Sequence, residues 1–309
     1  MADAEIVTRG LTKDYGGGRG LFGLDLEVAD REVFGFLGPN GAGKTTTIRL
    51  LMGMIRPTAG SAFVHGLNCQ KDAVKVKKRV GYLPGELPQF GGLKGAEVVA
   101  LLAGLRGGVD RQRVASLAER FDLDLGRRFR EYSRGNKQKL GILLAFMHRP
   151  DLLILDEPTG GLDPLNQQEF YRLVKEAQND GATVFLSSHI LSEVDHVCDR
   201  VGIIRRGRLV RVAQLEELHH IRVHKMEVEF AAGVPAEAVR AATGVENVEV
   251  GDRRLTCTVR GSFDDLMHAL GTATVLNLTS HEPSLEEVFL TYYKDELPEA
   301  PVPASTVRA

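Results

Sequence analysis

Gly38-Pro39-Asn40-Gly41-Ala42-Gly43-Lys44-Thr45 satisfies the pattern G-x-x-x-x-G-K-[S/T] at every fixed position. The residues before it, Glu32 to Leu37, read as a short buried strand, and Thr46 to Met52 read as a helix, which is the setting the pattern needs. A polyphosphate has to be approached by bare backbone. Glycine permits the positive φ that turns N–H groups inward, and the helix that follows points its partial positive end at the same anion. Lys44 then reaches the β- and γ-phosphates, and the Thr45 hydroxyl is placed to ligate Mg²⁺. Gly38, Pro39, Asn40, Gly41, Ala42, Gly43, Lys44, Thr45 and Thr46 are therefore the phosphate-binding candidates. Strand, cradle and helix in that order predict an α/β fold.

Outward from the cradle, the chain of 309 residues exceeds one ordinary domain, so two are expected. Its 39 Lys and Arg against 41 Asp and Glu leave a formal net charge of −2, which gives no bulk electrostatic reason to bind nucleic acid or an acidic membrane surface. Three scattered cysteines, Cys69, Cys198 and Cys257, fit reduced thiols in a cytoplasmic protein better than a disulfide frame or a metal site. The acidic start, Met1 to Glu5, lacks the form of a secretion signal. Apolar runs such as Leu140 to Met147 fall far short of the roughly 20 residues that span a bilayer, so any membrane role is expected to come through a partner.

Taken in order, Ala4 to Tyr15 and Leu21 to Val28 read as strands joined by the glycine cluster Gly16 to Gly20. Tyr15, just ahead of the cradle, is by spacing either a half-buried strand aromatic or a ring on which a base can stack. Helical stretches from Lys94 to Leu105 and Asp110 to Phe121 predict a helical insert over about 86–148. Tyr132 to Gln138 opens a helix with Leu140, Leu143, Leu144 and Met147 on its apolar face and Ser133 as N-cap. That helix is either a capped core helix or one whose amino end binds an anion.

Leu152-Leu153-Ile154-Leu155-Asp156-Glu157 is an apolar run ending in two carboxylates, the form of a parallel strand buried on both faces. Ligands of such sheets bind beyond the carboxyl ends of the strands, and burying adjacent acids there is costly unless a cation needs them. Asp156 is read as the Mg²⁺-side partner and Glu157 as the base that orients water. The strand Ala182 to Leu186 ends at Ser187-Ser188-His189 on the same sheet edge, where His189 is either a satisfied structural histidine or a γ-phosphate contact.

From about Val223 the units shorten. Strand Lys225 to Phe230, helix Pro235 to Thr243, strands Val245 to Val250 and Arg254 to Val259, helix Phe263 to Leu270 and strand Ala273 to Thr279 give βαββαβ, the ferredoxin-like order. A last helix, Ser284 to Tyr293, carries Leu285, Val288, Phe289 and Tyr292 at one-face spacing. The expected organisation is a nucleotide-binding domain over 1–220, an α+β accessory domain over 221–294 and a disordered tail over 295–309.

Gly38 to Thr45, Tyr132 to Gln138, Leu152 to Glu157, Gly161-Leu162-Asp163 and Ser188-His189 follow one another as in the ATPase subunits of ABC transporters, which the chain resembles over residues 4 to about 220. The resemblance implies ATP and Mg²⁺ as cofactors and two subunits sandwiching two ATP molecules. It assigns Tyr15 to adenine stacking, Ser133 and Gly135 to the signature motif that closes over a partner's ATP, Asp163 to the D-loop and His189 to the switch histidine. Gly81 to Glu86 and Pro283 to Phe289 resemble, more narrowly, the type-2 exporters that include daunorubicin-resistance and multidrug efflux ATPases. The partners implied are a separately encoded integral membrane permease and a second copy or a related ATPase, at the cytoplasmic face of the membrane, with no nucleic acid.

Two positions depart from the family pattern. Gly85 stands where most members carry the Q-loop glutamine, with Glu86 or Gln89 as substitutes, and the signature reads Ser133-Arg134-Gly135-Asn136 in place of Ser-Gly-Gly-Gln. An importer ATPase with a regulatory domain is the near rival, and a soluble, non-transport ABC ATPase acting on ribosomes or DNA is a distant one. The single cradle and the near-neutral charge argue against the second of these.

Overall fold

The computed structural model describes residues 4–215 and 223–281. The expected helix over 284–293, the Pro283 to Phe289 stretch and the tail over 295–309 lie outside the described residues. The chain divides into two compact units, Met1–Glu216 and Glu217–Ala309.

The first unit is built on two sheets. Strands β1 (Ala4–Asp14), β2 (Gly20–Ala29), β4 (Ala59–Val64) and the short β5 (Leu67–Asn68) form an antiparallel sheet in the order β2-β1-β4-β5. β3 (Val33–Leu37), β6 (Val80–Leu83), β7 (Leu152–Asp156), β8 (Thr183–Ser188), β9 (Arg200–Arg205) and β10 (Arg208–Gln214) form a six-stranded sheet in the order β10-β9-β3-β8-β7-β6. All its pairings are parallel except that of β9 with β10, which turns at Arg206-Gly207.

Parallel strands covered on both faces must be apolar throughout. Accordingly Leu152, Leu153, Ile154 and Leu155 of β7 are all fully buried, each contributing about 1.5–3 kcal/mol by leaving water. Stacked Phe34 and Phe185, 5.9 Å apart, join β3 to β8 within a core that also takes Ile6, Leu24 and Val28 from the antiparallel sheet.

Helix α1 (Lys44–Leu51) follows the cradle, and α2 (Ala73–Arg79) leads into β6. Between β6 and β7 run α3 (Gly95–Leu105), α4 (Arg111–Arg120), a 3₁₀ turn at Phe129–Glu131 and α5 (Arg134–Phe146). Helix α6 (Pro164–Asn179) has Asp163 as N-cap and Pro164 at the first helical position.

Helix α7 (Leu191–Val197) was not expected. It is only seven residues long and carries Ser192, Glu193, Asp195 and His196, so its apolar stripe is limited to Leu191, Val194 and Val197, of which the two valines are buried. It packs on β3 at Gly35, where an added Cβ would fall 2.6 Å from Val194 Cγ1.

In the second unit, β11 (Val223–Phe230), α8 (Ala236–Ala241), β12 (Val245–Val250), β13 (Arg254–Arg260), α9 (Asp264–Leu270) and β14 (Val275–His281) make an antiparallel sheet in the order β12-β13-β11-β14. Met226, Val228, Phe230, Leu255, Cys257 and Val259 point to one face and form its core with Val239, Leu266 and Leu270 from the helices. Cys69, Cys198 and Cys257 are free and buried, and burial pushes their thiols up, to about 12 for Cys69 and about 11 for Cys257. Few of these thiols are ionised at neutral pH, so they are poor nucleophiles.

Candidate active site

The carboxyl ends of β3, β6, β7 and β8 all open toward one edge of the parallel sheet, and the loop after each brings a piece of the site. After β3 comes the cradle. Gly43 is at φ 112°, in the region that favours glycine. Gly38 is pressed so closely on β9 that a Cβ would lie 2.3 Å from the Ile204 carbonyl oxygen, and its N–H donates to Ser188 O at 3.2 Å. The cradle is thus fastened to the ends of two strands before any ligand meets it.

Lys44 is 6 % exposed, a large burial for an ammonium, and it is matched by acceptors. Its Nζ donates to Gly38 O at 2.6 Å and to Pro39 O at 3.3 Å, and pairs with Glu157 Oε1 at 3.0 Å. The other carboxylate oxygen of Glu157 meets His189 Nδ1 at 2.7 Å. Lys44, Glu157 and His189, separated by up to 145 positions in sequence, are brought into one cluster by the strand order, as the sequence reading expects of the sheet edge.

Asp156 is 1 % exposed. Ser187 donates its hydroxyl to Asp156 Oδ1 at 2.6 Å and accepts the Glu157 N–H at 3.2 Å. Asp156 Oδ2 faces Gly85, where an added Cβ would be 3.3 Å away. Tyr82, one strand over, has its phenol pushed up to about 12 by burial and by Asp156. Thr45, at the start of α1, is exposed. One hydroxyl and one carboxylate are hard oxygen donors of the kind Mg²⁺ takes, with phosphate oxygens and waters completing its shell. The donor set fits that ion.

Glu157 itself has φ 50°, a left-handed conformation that costs a side-chain-bearing residue about 1–3 kcal/mol. The loop after it is tied down from several directions. Gly160 N donates to Glu157 O at 3.2 Å, and Gln138 Nε2 donates to Glu157 O at 3.2 Å and Pro158 O at 2.7 Å. Thr159 hydrogen-bonds the buried carboxylate of Glu193, which also accepts from Ser188 Oγ at 2.5 Å.

Ser187, Gln138 and Glu193 are site residues the sequence reading did not single out. Both Gln138 and Glu193 are polar residues on buried helix faces, which demands a partner; the helix carrying Gln138 was expected from sequence and the one carrying Glu193 was not.

The remaining candidates stand apart from this cluster. Ser133 is exposed and caps α5, accepting from Asn136 N at 3.2 Å. Asp163 is exposed, and the Asn166 backbone and side-chain N–H groups hold its carboxyl below the usual range. The hydrogen bond of Ser133 is within α5 and those of Asp163 are within α6, with Lys139 of α5 adding a favourable charge to Asp163. Gly135 approaches Gly161, where a Cβ on it would meet Gly161 O at 2.7 Å, and the stem of Arg134 lies over Gly161. Arg134 thus covers this loop, besides adding charge to the helix end. Tyr15 is half exposed, with Lys13 Nζ over its ring at 5.5 Å. Glu86 and Gln89 are exposed on the loop after β6.

A backbone phosphate cradle, a lysine within it, a histidine just past the adjoining strand and a carboxylate pair at the end of the next define a P-loop nucleotide hydrolase. The family description "ABC transporter" matches residues 21–160. The bacitracin transport ATP-binding protein of Enterococcus faecalis is 39 % identical over 217 residues, covering 69 % of this chain and 70 % of that protein. A daunorubicin resistance ATP-binding protein of Streptomyces coeruleorubidus is 35 % identical over 310 residues, 96 % of this chain and 98 % of that one. Among solved structures, an ATP-binding subunit of an ABC transporter superposes with a TM-score of 0.64 at 28 % identity, over 69 % of this chain and 91 % of that one. The chain belongs to the ABC transporter family, as an ATP-binding subunit that hydrolyses ATP.

Proposed function

We propose that this chain powers efflux of drugs or other small, lipophilic compounds through a separately encoded integral membrane permease, to which it attaches at the cytoplasmic face. Similarity to the daunorubicin resistance relative along almost the whole of both chains carries the reading, because it takes in the second unit as well as the cassette. Among the described residues no helix is long and apolar enough to cross a membrane. Exposed Leu93, Leu101 and Leu105, on α3 and just ahead of it, offer apolar surface for a partner.

Within the site, Lys44 holds phosphate oxygens, and Thr45 and Asp156 hold Mg²⁺. When bound, that ion neutralises charge gathering on the phosphoryl oxygens. Glu157 accepts a hydrogen bond from the attacking water and then its proton, with His189 fixing the carboxylate from the other side. Tyr15 stacks on adenine. Ser133 and Gly135 serve the ATP of a second copy or of a related ATPase, with Asp163 at the same junction. Two subunits then close on two ATP molecules.

The second unit, from about residue 221, is an accessory domain of ferredoxin-like type, supported by its βαββαβ connectivity and the order β12-β13-β11-β14. Its role is to steady the pair of subunits.

Purification from membranes tests the proposal. A co-purifying polytopic protein that stimulates ATP turnover is expected, whereas ribosomes or DNA in its place overturn the transport reading.

A further inference from the structure

Glu157 has a strained backbone, and both of its main-chain polar groups are gripped from outside. Its N–H donates to Ser187 O and Ser187 Oγ, each at 3.2 Å, from strand β8. Its carbonyl, and the next one, accept from the side-chain amide of Gln138 on α5, at 3.2 and 2.7 Å. A glutamine Nε2 carries two hydrogens, one for each carbonyl. Gln138 is 8 % exposed, so these bonds are made out of water.

Plain satisfaction of a buried carbonyl does not account for this arrangement. Glu157 O already accepts from Gly160 N at 3.2 Å, so an apolar residue in place of Gln138 would leave only Pro158 O short. The same helix touches the loop twice more, through Gly135 against Gly161 O and through the Arg134 stem over Gly161. One face of α5 therefore grips residues 157–161, and Gln138 is the only one of the three that bonds the peptide carrying the base.

We propose that Gln138 is a positioning residue for hydrolysis: it fixes the left-handed Glu157 peptide so that the carboxylate meets Lys44 and His189, and it makes that aim depend on where α5 stands. A helix whose capping serine is read as serving another subunit's ATP thereby sets the geometry of its own subunit's base. The proposal rests on Glu157 being that base.

The test is steady-state ATP turnover with Mg²⁺ by the full chain carrying Gln138→Met, beside equilibrium binding of a fluorescent ATP analogue. The expected result is a fall in kcat of about 10- to 100-fold, the scale of a misplaced catalytic group, with KM and nucleotide affinity changed less than about threefold. In a Glu157→Gln background, Gln138→Met is expected to reduce the residual turnover no further, because residues acting as a unit are non-additive. If Gln138→Met does not fold, Gln138→Glu carries the same test, since it keeps the volume and replaces the donor with an acceptor facing two carbonyls.

Turnover within about twofold of wild type for the folded variant overturns the proposal. So does an equal loss with and without Glu157. Wild-type turnover by Glu157→Gln alone would remove Glu157 from the chemistry, a failure visible before Gln138 is changed.

Discussion

The two ends of the parallel sheet carry similar residues and put them to different use. At the carboxyl end, Glu157 is held by a buried lysine and a half-exposed histidine, and Asp156 by a serine hydroxyl. At the amino end, Asp199 Oδ2 accepts the Val33 N–H at 2.8 Å and the Gln178 side chain at 2.6 Å, and Glu32 accepts the Ala29 N–H at 2.8 Å while pairing with Arg200 at 3.0 Å. Carboxylates there hold backbone groups of other strands than the ones they precede: Asp199, just ahead of β9, takes the first N–H of β3, and Glu32, just ahead of β3, takes the last N–H of β2. Those at the other end meet side chains that a phosphate can draw away. The partner, more than the acid, separates a fastening from a reactive group.

The largest expected effect tests the chemical end. Glu157→Gln should cut ATP turnover by about 10²-fold or more while leaving nucleotide binding intact, measured by phosphate release and by analogue binding. Glu32→Ala should do the reverse: about 2 kcal/mol of stability lost, because the partly buried Arg200 and the Ala29 N–H both lose their acceptor, a fall in Tm of about 4–8 °C, and unchanged turnover per folded molecule. If either variant shows the other's signature, the division between the ends fails.

Ser187→Ala sharpens the contrast, since it removes a hydroxyl that joins Asp156 to the Glu157 N–H. A drop of about tenfold in kcat is expected, with about 1–3 kcal/mol of stability lost because the buried Asp156 carboxylate loses its donor.

Acid tests the amino end again. His148, whose ring nitrogens are buried without a hydrogen-bond partner, has its pKa lowered from 6.5 to about 4 by burial and by Arg106. Its neutral form is the one that fits the fold. The stability it contributes is therefore complete above pH 6.5 and is lost as pH falls toward 4. Thermal melts should show wild type losing about 1–2 kcal/mol more than His148→Met across that window. The smallest effect belongs to Arg79→Ala. Its pair with Asp151 at 3.0 Å is exposed on both sides and should be worth no more than about 0.5 kcal/mol.

Much of the chemical end was legible because its signals are local. The cradle needs glycine and lysine at fixed spacing, and β7 announces itself as an apolar run closed by two acids. The strand order then brings Lys44, Glu157 and His189 together, as parallel strands with a shared open edge require. The pairing of Lys44 with Glu157, the hydroxyl of Ser187 between Asp156 and Glu157, and the reach of Gln138 could not be read, because each joins residues that only the fold makes neighbours. Helix α7 escaped for a different reason: its seven residues hold only three apolar positions, too short a run for periodicity to stand out. Arg134 stood out in sequence only as a departure from the signature pattern, and its stem lies over Gly161.

The ion pair between Lys44 and Glu157 has one more consequence on the proposed reading. An ammonium that already spends itself on two carbonyls and a carboxylate cannot take a phosphate without loosening its hold on the acid. The arriving nucleotide therefore unlocks the very group that will attack it through water, so fuel and trigger are the same molecule, and a subunit with nothing to burn keeps its own safety catch on.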